Sequence, residues 1–229
     1  MKNCLYMEEL VTRHSTIMDK YDPNKRVALA VDEWGIWTDV EPGTNPGFLY
    51  QQNSLRDAIV AASTLNIFNN HSDRVRLANL AQTVNVLQAL VLTQGRQILL
   101  TPTYHVFDLF KVHHDAKRLN VNFSSPLYKN GDASVPALNI SASQDSTGAV
   151  HISFVNIDPN NKISFRAAMP GVKWTTVKGQ ILTSAKLTDI NSFDKPEAVK
   201  IQPFTTAKKE GNDLVVELPA KSVVVLELK

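Results

Sequence analysis

Residues 27–37 read VALAVDEWGIW: a short apolar run ends in two adjacent carboxylates, Asp32 and Glu33, followed by two indoles around a glycine. Carboxylates serve as nucleophiles, general bases or, when protonated, general acids, so such a pair at a strand end is a candidate for catalysis. Side chains alternate along an extended strand, which places Val27, Leu29, Val31 and Glu33 on one face and Ala28, Ala30 and Asp32 on the other. If the larger residues face a barrel interior, Glu33 sits at the C-terminal mouth, where α/β-barrel enzymes hold their catalytic groups. The structural alternative is a strand-end acid that caps a helix or pairs with Arg26. Indoles beside carboxylates suit a sugar, whose apolar ring face stacks on an aromatic while its hydroxyls meet polar groups. Trp37 lies further into the loop and is the better ligand candidate; Trp34 can equally pack the strand–loop junction.

Other chemistries lack their residues. His113 and His114 are adjacent and point apart on a helix, and neither an HExxH pair nor a Cys/His cluster occurs, so no metal or other cofactor is expected. A Gly-rich phosphate loop and a GxSxG elbow are both absent. Cys4, the single cysteine, has no candidate base beside it and rules out an internal disulfide framework.

The elements that must position Glu33 come in two rhythms. Residues 6–20 place Tyr6, Leu10, Ile17 and Met18 at helical spacing, and Asp22-Pro23 stops the pattern. VALAV reads as a strand covered on both faces, and the turn-rich EPGTNPGF after it reads as a functional loop. A second helix starts at Asn53-Ser54, where Ser54 and Asp57 form an acidic variant of the capping box. VRLANLAQTVNVL is a further strand, LVLTQGRQILL a hairpin turning at Gln94-Gly95, and Thr101-Pro102 an N-cap with proline at the first helical position. Val106, Leu109, Phe110 and His113 share one face of that helix. Beyond residue 119 seven short alternating runs, separated by turn clusters such as DPNN and EGND, predict a β-sandwich with one face of each sheet in the core. The expected domains are an α/β part over 1–118 and an all-β part over 119–229. The first part holds only two convincing strand–helix repeats, whereas a closed eight-stranded barrel takes roughly 250 residues. Counting therefore reads it as the last quarter of something larger.

The totals bound the partners. The formal net charge is +2, with 43% apolar and 20% charged residues, and no basic stripe interleaved with aromatics, which argues against nucleic acid. MKNCLYMEELVTRH has no apolar h-region, and no apolar run approaches membrane-spanning length. A soluble protein without a membrane partner is expected, its compartment left open.

VALAVDEWGIW, HSDRVRLANLAQTVNVL, the following helix and a sandwich ending in SVVVLELK together resemble the C-terminal half of the α-L-arabinofuranosidases of glycoside hydrolase family 51. The resemblance covers nearly the whole chain. It implies the C-terminal portion of a (β/α)8 TIM barrel followed by a jelly-roll-like β-sandwich, and retaining hydrolysis of terminal arabinofuranosyl groups from arabinose-containing glycans. It further implies Glu33 as the nucleophile, Gln82 of LAQTVN as a sugar-contacting residue, and Trp37 as an aromatic on the leaving-group side. It implies no cofactor, and a homo-oligomer. The family's acid/base lies in an Asn-Glu pair on an earlier strand, and no such dipeptide occurs in these 229 residues. The chain is therefore expected to be inactive alone. A glycan-binding or assembly module and another retaining barrel glycosidase, such as a xylosidase, are the alternatives.

Overall fold

The computed structural model describes residues 1–229. The first half runs α1 (Lys2–Tyr21), β1 (Leu29–Trp34), α2 (Leu55–Asn70) and β2 (Val75–Leu80). β1 and β2 pair in parallel, so α2 is the crossover helix between them. A hairpin of β3 (Val91–Gln94) and β4 (Gln97–Leu100) leads into α3 (Pro102–Phe110), which tightens into a 3₁₀ turn at Lys111–His113. The second half contains β5 (Lys117–Leu119), the separate hairpin β6 (Leu127–Asn130) and β7 (Ala133–Pro136), then β8 (Leu138–Gln144), β9 (Val150–Asn156) and β10 (Ile163–Ala168). β11 (Val177–Leu182), β12 (Ile201–Phe204), β13 (Ala207–Glu210), β14 (Asp213–Leu218) and β15 (Ser222–Leu228) complete it. Six strands form one sheet in the order β12-β11-β15-β9-β8-β5, and β10-β14-β13 form the sheet packed against it.

Local signals account for most of these boundaries. At the start of α2 the Asp57 carboxylate accepts from both the backbone N–H and the hydroxyl of Ser54, at 2.7 Å each. Thr101 caps α3 by accepting from the Tyr104 N–H at 3.3 Å, with Pro102 behind it. Gln94 pairs with Gln97, so the hairpin turns at Gly95-Arg96, one residue later than the sequence suggests, with Gly95 at φ +58°. α1 forms where expected but presents a different face: Val11 is buried, whereas Tyr6 and Ile17 are exposed. The Tyr6–Leu10–Ile17 stripe is therefore not the stripe that packs on α2.

The six-stranded sheet is buried on both sides. Val224, Leu226 and Leu228 of β15 point into the sandwich core with Leu214, Val216 and Leu218 of β14. Val223 and Val225 point the other way, into a second core with Leu55, Ala58, Ile59 and Ala62 of α2 and Phe110 of α3. Every residue of β9 is buried. This corrects the expectation of a sandwich with one buried face per sheet. The near-continuous apolar run SVVVLEL is the signature of a strand covered on both sides.

α2 is fastened to that sheet at both ends. The N–H groups of Leu55 and Arg56, orphans of a helix first turn, donate to the carbonyls of Asp189 (3.0 Å) and Leu187 (2.9 Å) in the β11–β12 connection. Near its other end the hydroxyls of Ser141 and Ser153 donate to Asn66 Oδ1 at 2.7 and 2.6 Å, and Asn70 Nδ2 donates to the Ile140 carbonyl at 2.9 Å. His113 closes this seam. Ser153 has given its proton to Asn66, so its oxygen accepts from His113 Nε2–H at 3.1 Å, and His113 Nδ1 then accepts from the Ser143 hydroxyl at 2.7 Å. This arrangement uses the neutral imidazole.

Burial, with His151 and His114 nearby, holds the His113 pKa down at about 4. In the unfolded chain it returns to about 6.5. Above pH 6.5 both states are neutral; as pH falls from 6.5 towards 4 the unfolded chain binds a proton that the folded one refuses, so stability is lost in that window. Urea denaturation of the wild type should show a loss of roughly 2–3 kcal/mol between those pH values beyond that of His113→Gln. Equal pH slopes for the two proteins would exclude His113 as the cause.

Candidate functional site

β1 is held at its start by a buried arginine. The Arg74 guanidinium donates to Asp22 Oδ2 (2.9 Å), to the carbonyls of Val27 (2.8 Å) and Asp22 (2.9 Å), and to the Asp19 carboxylate. The N–H of Leu29 donates to the Arg74 carbonyl at 2.7 Å, so one residue ties the α1–β1 turn to the entry of β2. Removing one partner from a buried ion pair leaves the other charge stranded, which makes this end of the strand pair costly to disturb.

The ladder shifts register at both ends, between Leu29 and Ala30 and again between Val31 and Trp34. Val31 pairs with Ala78 but Trp34 pairs with Leu80, so three steps along β1 match two along β2. The extra residue is a bulge at Asp32-Glu33. It breaks the alternation: Val31 is half-buried, Asp32 and Glu33 are both exposed, and Trp34 is buried. Leu29 and Val31 pack on the helical core, not on the opposite face. The inference that Glu33 shares a face with Val27, Leu29 and Val31 is therefore corrected. Glu33 is exposed where the register with β2 shifts. Neither Asp32 nor Glu33 forms an ion pair, so the alternative of pairing with Arg26 is not met.

The two indoles divide as their positions in the loop suggest. Trp34 lies in the core, edge-on to Phe68 at 5.4 Å and stacked with Phe107 at 6.3 Å between ring centroids. Trp37 is 68% exposed. Between them Gly35 adopts φ +151°, and a Cβ there would come within 3.2–3.3 Å of Gln88 and the Ala81 carbonyl. The loop after β1 thus lies directly on the loop after β2. Ala81 N–H donates to the Trp34 carbonyl at 2.9 Å, and Gln82 follows, exposed, across a cis peptide. Glu33 and Gln82 consequently stand at the C-terminal ends of two adjacent parallel strands, which lie about 4.8 Å apart.

Residues 49–53 brace both loops. Tyr50 and Leu49 carbonyls accept from Glu41 N–H (2.9 Å) and Leu87 N–H (3.3 Å), and Asn53 Nδ2 donates to the Ala89 carbonyl (2.8 Å). Gln51 bonds to the backbone on either side of Trp37. A polar QQN run after a turn-rich loop carries no periodicity that would reveal these contacts.

Cys4 lines the cavity behind Trp37, together with Trp34, Gly35 and Thr64. Its thiol lies against Thr64 Oγ1 at 3.3 Å, and burial pushes its pKa up, which disfavours the thiolate. In the sandwich Phe154, Trp174 and Phe204 are buried, leaving Phe123 as a large exposed aromatic.

Residues 32–222 match the family described as the α-L-arabinofuranosidase C-terminal domain. The chain belongs to this family. Among curated relatives, an intracellular exo-α-L-arabinofuranosidase of Bacteroides ovatus is 45% identical over 230 residues, covering 100% of this chain and 45% of the relative. An intracellular exo-α-(1→5)-L-arabinofuranosidase of Streptomyces lividans is 26% identical over 220 residues, covering 90% of the chain and 33% of the relative. Among solved structures, the family 51 arabinofuranosidase of Xanthomonas axonopodis pv. citri superposes with a TM-score of 0.97 at 48% identity, covering 100% of this chain and 46% of that one. The chain thus spans about half the length of the Bacteroides and Xanthomonas relatives and about a third of the Streptomyces one. The family match begins at Asp32 and so includes the candidate site and the sandwich up to the start of β15.

The contact between the two site loops leaves no room at Gly35. Gly35→Ala is expected to lower stability by about 1–3 kcal/mol in urea denaturation, through strained backbone and the close approach to Ala81. An unchanged midpoint would show that the loops are not in contact there.

Proposed function

We propose that this chain is the C-terminal half of a retaining α-L-arabinofuranosidase. Residues 1–118 would form the end of a (β/α)8 barrel and 119–229 the accessory sandwich. The observation that carries the reading is Glu33: an exposed carboxylate on a bulge at the C-terminal end of a parallel strand, with Gln82 at the end of the neighbouring strand. The barrel assignment draws support from what β1 and β2 leave open. They form a two-stranded sheet with a free edge on each side, and Val27 and Leu77 are exposed at 60% and 50%. Along α1 the outward Tyr6, Ile17 and Tyr21 offer apolar surface to a further neighbour. As in the family it resembles, the whole enzyme is proposed to work as a homo-oligomer.

In this mechanism the Glu33 carboxylate attacks the anomeric carbon of a terminal arabinofuranosyl group. The glycosidic bond breaks as an acid from the N-terminal half protonates the leaving oxygen, and a covalent glycosyl-enzyme forms. The same group, now a base, takes a proton from water, which displaces Glu33 and restores the sugar's configuration. Gln82 would hydrogen-bond the bound sugar, and Trp37 would cover the leaving-group side. Retention requires the two carboxyl groups roughly 5–5.5 Å apart, which fixes where the N-terminal half must place its acid.

On its own the chain should release no measurable nitrophenol from 4-nitrophenyl α-L-arabinofuranoside. A chimera that joins it to the N-terminal half of the Bacteroides ovatus relative should turn over, and Glu33→Gln in that chimera should lower kcat by roughly 10⁴-fold or more. Full turnover by the chain alone would contradict the need for a second half. An active Glu33→Gln chimera would remove Glu33 from the reaction.

A further inference from the structure

Trp37 is exposed, and a large side chain on a loop has no fixed direction unless its backbone is held. Gln51 supplies that hold. Only 2% of Gln51 is exposed. Its Oε1 accepts from the Thr38 N–H at 2.8 Å and the Thr38 hydroxyl at 3.1 Å, while its Nε2 donates to the Ile36 carbonyl at 3.1 Å. The side-chain amide therefore pairs with the backbone on both sides of Trp37, as a neighbouring strand would. Residues 49–53, to which it belongs, are bonded to the loop after β2 and run directly into α2, which is fastened to the sandwich. Trp37 is thus referred to the rigid part of the molecule through one buried side chain.

We propose that Gln51 is a positioning residue for the glycan site: its amide fixes the direction of Trp37 relative to Glu33. This rests on the reading of Trp37 as a glycan-facing residue. The chemistry of the hold demands an amide of this length. A carboxylate has no donor for Ile36, an ammonium or guanidinium has no acceptor for Thr38, and a hydroxyl is too short to reach both. Gln51 is buried and its amide is spent on the backbone beside Trp37, so its action on the site runs through Trp37.

The test is ¹⁹F NMR of the chain labelled with 5-fluorotryptophan, whose three tryptophans give three signals. Gln51→Ala should move and narrow the Trp37 signal towards that of a freely rotating indole, with Trp34 and Trp174 unmoved. Gln51→Glu keeps the acceptor for Thr38 and loses the donor to Ile36, so its Trp37 signal should fall between the other two. In the chimera with the Bacteroides ovatus N-terminal half, Gln51→Ala should raise KM for arabinotriose about tenfold and leave kcat within about twofold. An unmoved Trp37 signal in Gln51→Ala, or a common shift of all three signals, would overturn the proposal. A Trp37 signal that Gln51 controls but that ignores arabinotriose in the active chimera would overturn the glycan reading instead. A sugar-sensitive Trp37 with KM unchanged in Gln51→Ala would overturn the positioning role alone.

Discussion

The arrangement of this molecule depends on the attachment of α2 to the six-stranded sheet. α2 is the crossover between β1 and β2, and it is also the lid on the outer face of the sandwich. Its first N–H groups are consumed by the carbonyls of Leu187 and Asp189, and its last turns by the Ser141, Ser153 and Ile140 positions. Between these ends its apolar side packs on Val223 and Val225. Burying such a valine or leucine contributes on the order of 1.5–3 kcal/mol, while an unpaired buried polar group costs about as much. Both kinds of contact are therefore required in register. A helix tied in this way cannot slide or rotate, and it carries the strand pair with it.

The candidate site inherits this rigidity in steps. Arg74 fixes the entry of β1 and β2, and both carboxylates of Asp32-Glu33 are exposed where the register with β2 shifts. Trp34 anchors the exit of β1 between Phe68 of α2 and Phe107 of α3. Gly35 and residues 49–53 then hold the two loops against each other. A reacting carboxylate displaced by even an ångström loses much of the advantage of orientation, so this many supports for a few exposed residues is physically reasonable.

The elements that announce themselves in the sequence are those governed by local rules. The Ser54/Asp57 cap, the Thr101-Pro102 start and the Gly95 turn are chemical signals confined to a few residues, and they place α2, α3 and the β3–β4 hairpin to within a residue. Apolar runs gave the main strands of the sandwich. The short strands β5, β6, β7 and β13, three or four residues each, carry too little pattern to be read. The burial of the central sheet on both faces is a tertiary fact, hinted at by SVVVLEL but not decided until α2 is docked. The spacing of Tyr6, Leu10 and Ile17 marks α1 as a helix but does not say which face meets α2, because apolar spacing identifies a stripe and not its neighbour. Glu33 and Trp37 stand out as candidates from their place at the end of VALAV and from the resemblance, whereas the register shift beside Glu33 depends on pairing with β2, and Gln51 depends on a contact fifteen residues away.

The central claim is that Glu33 forms a covalent bond to the sugar. A 2-deoxy-2-fluoro arabinofuranosyl inactivator slows the second displacement and leaves the glycosyl-enzyme to accumulate, so peptide mapping by mass spectrometry can locate the attached sugar. The account predicts, in the chimera with the Bacteroides ovatus N-terminal half, a single adduct on the peptide that contains VALAVDEWGIW, with fragmentation placing it on Glu33. An adduct on Asp32, or on a carboxylate outside this chain, would contradict it.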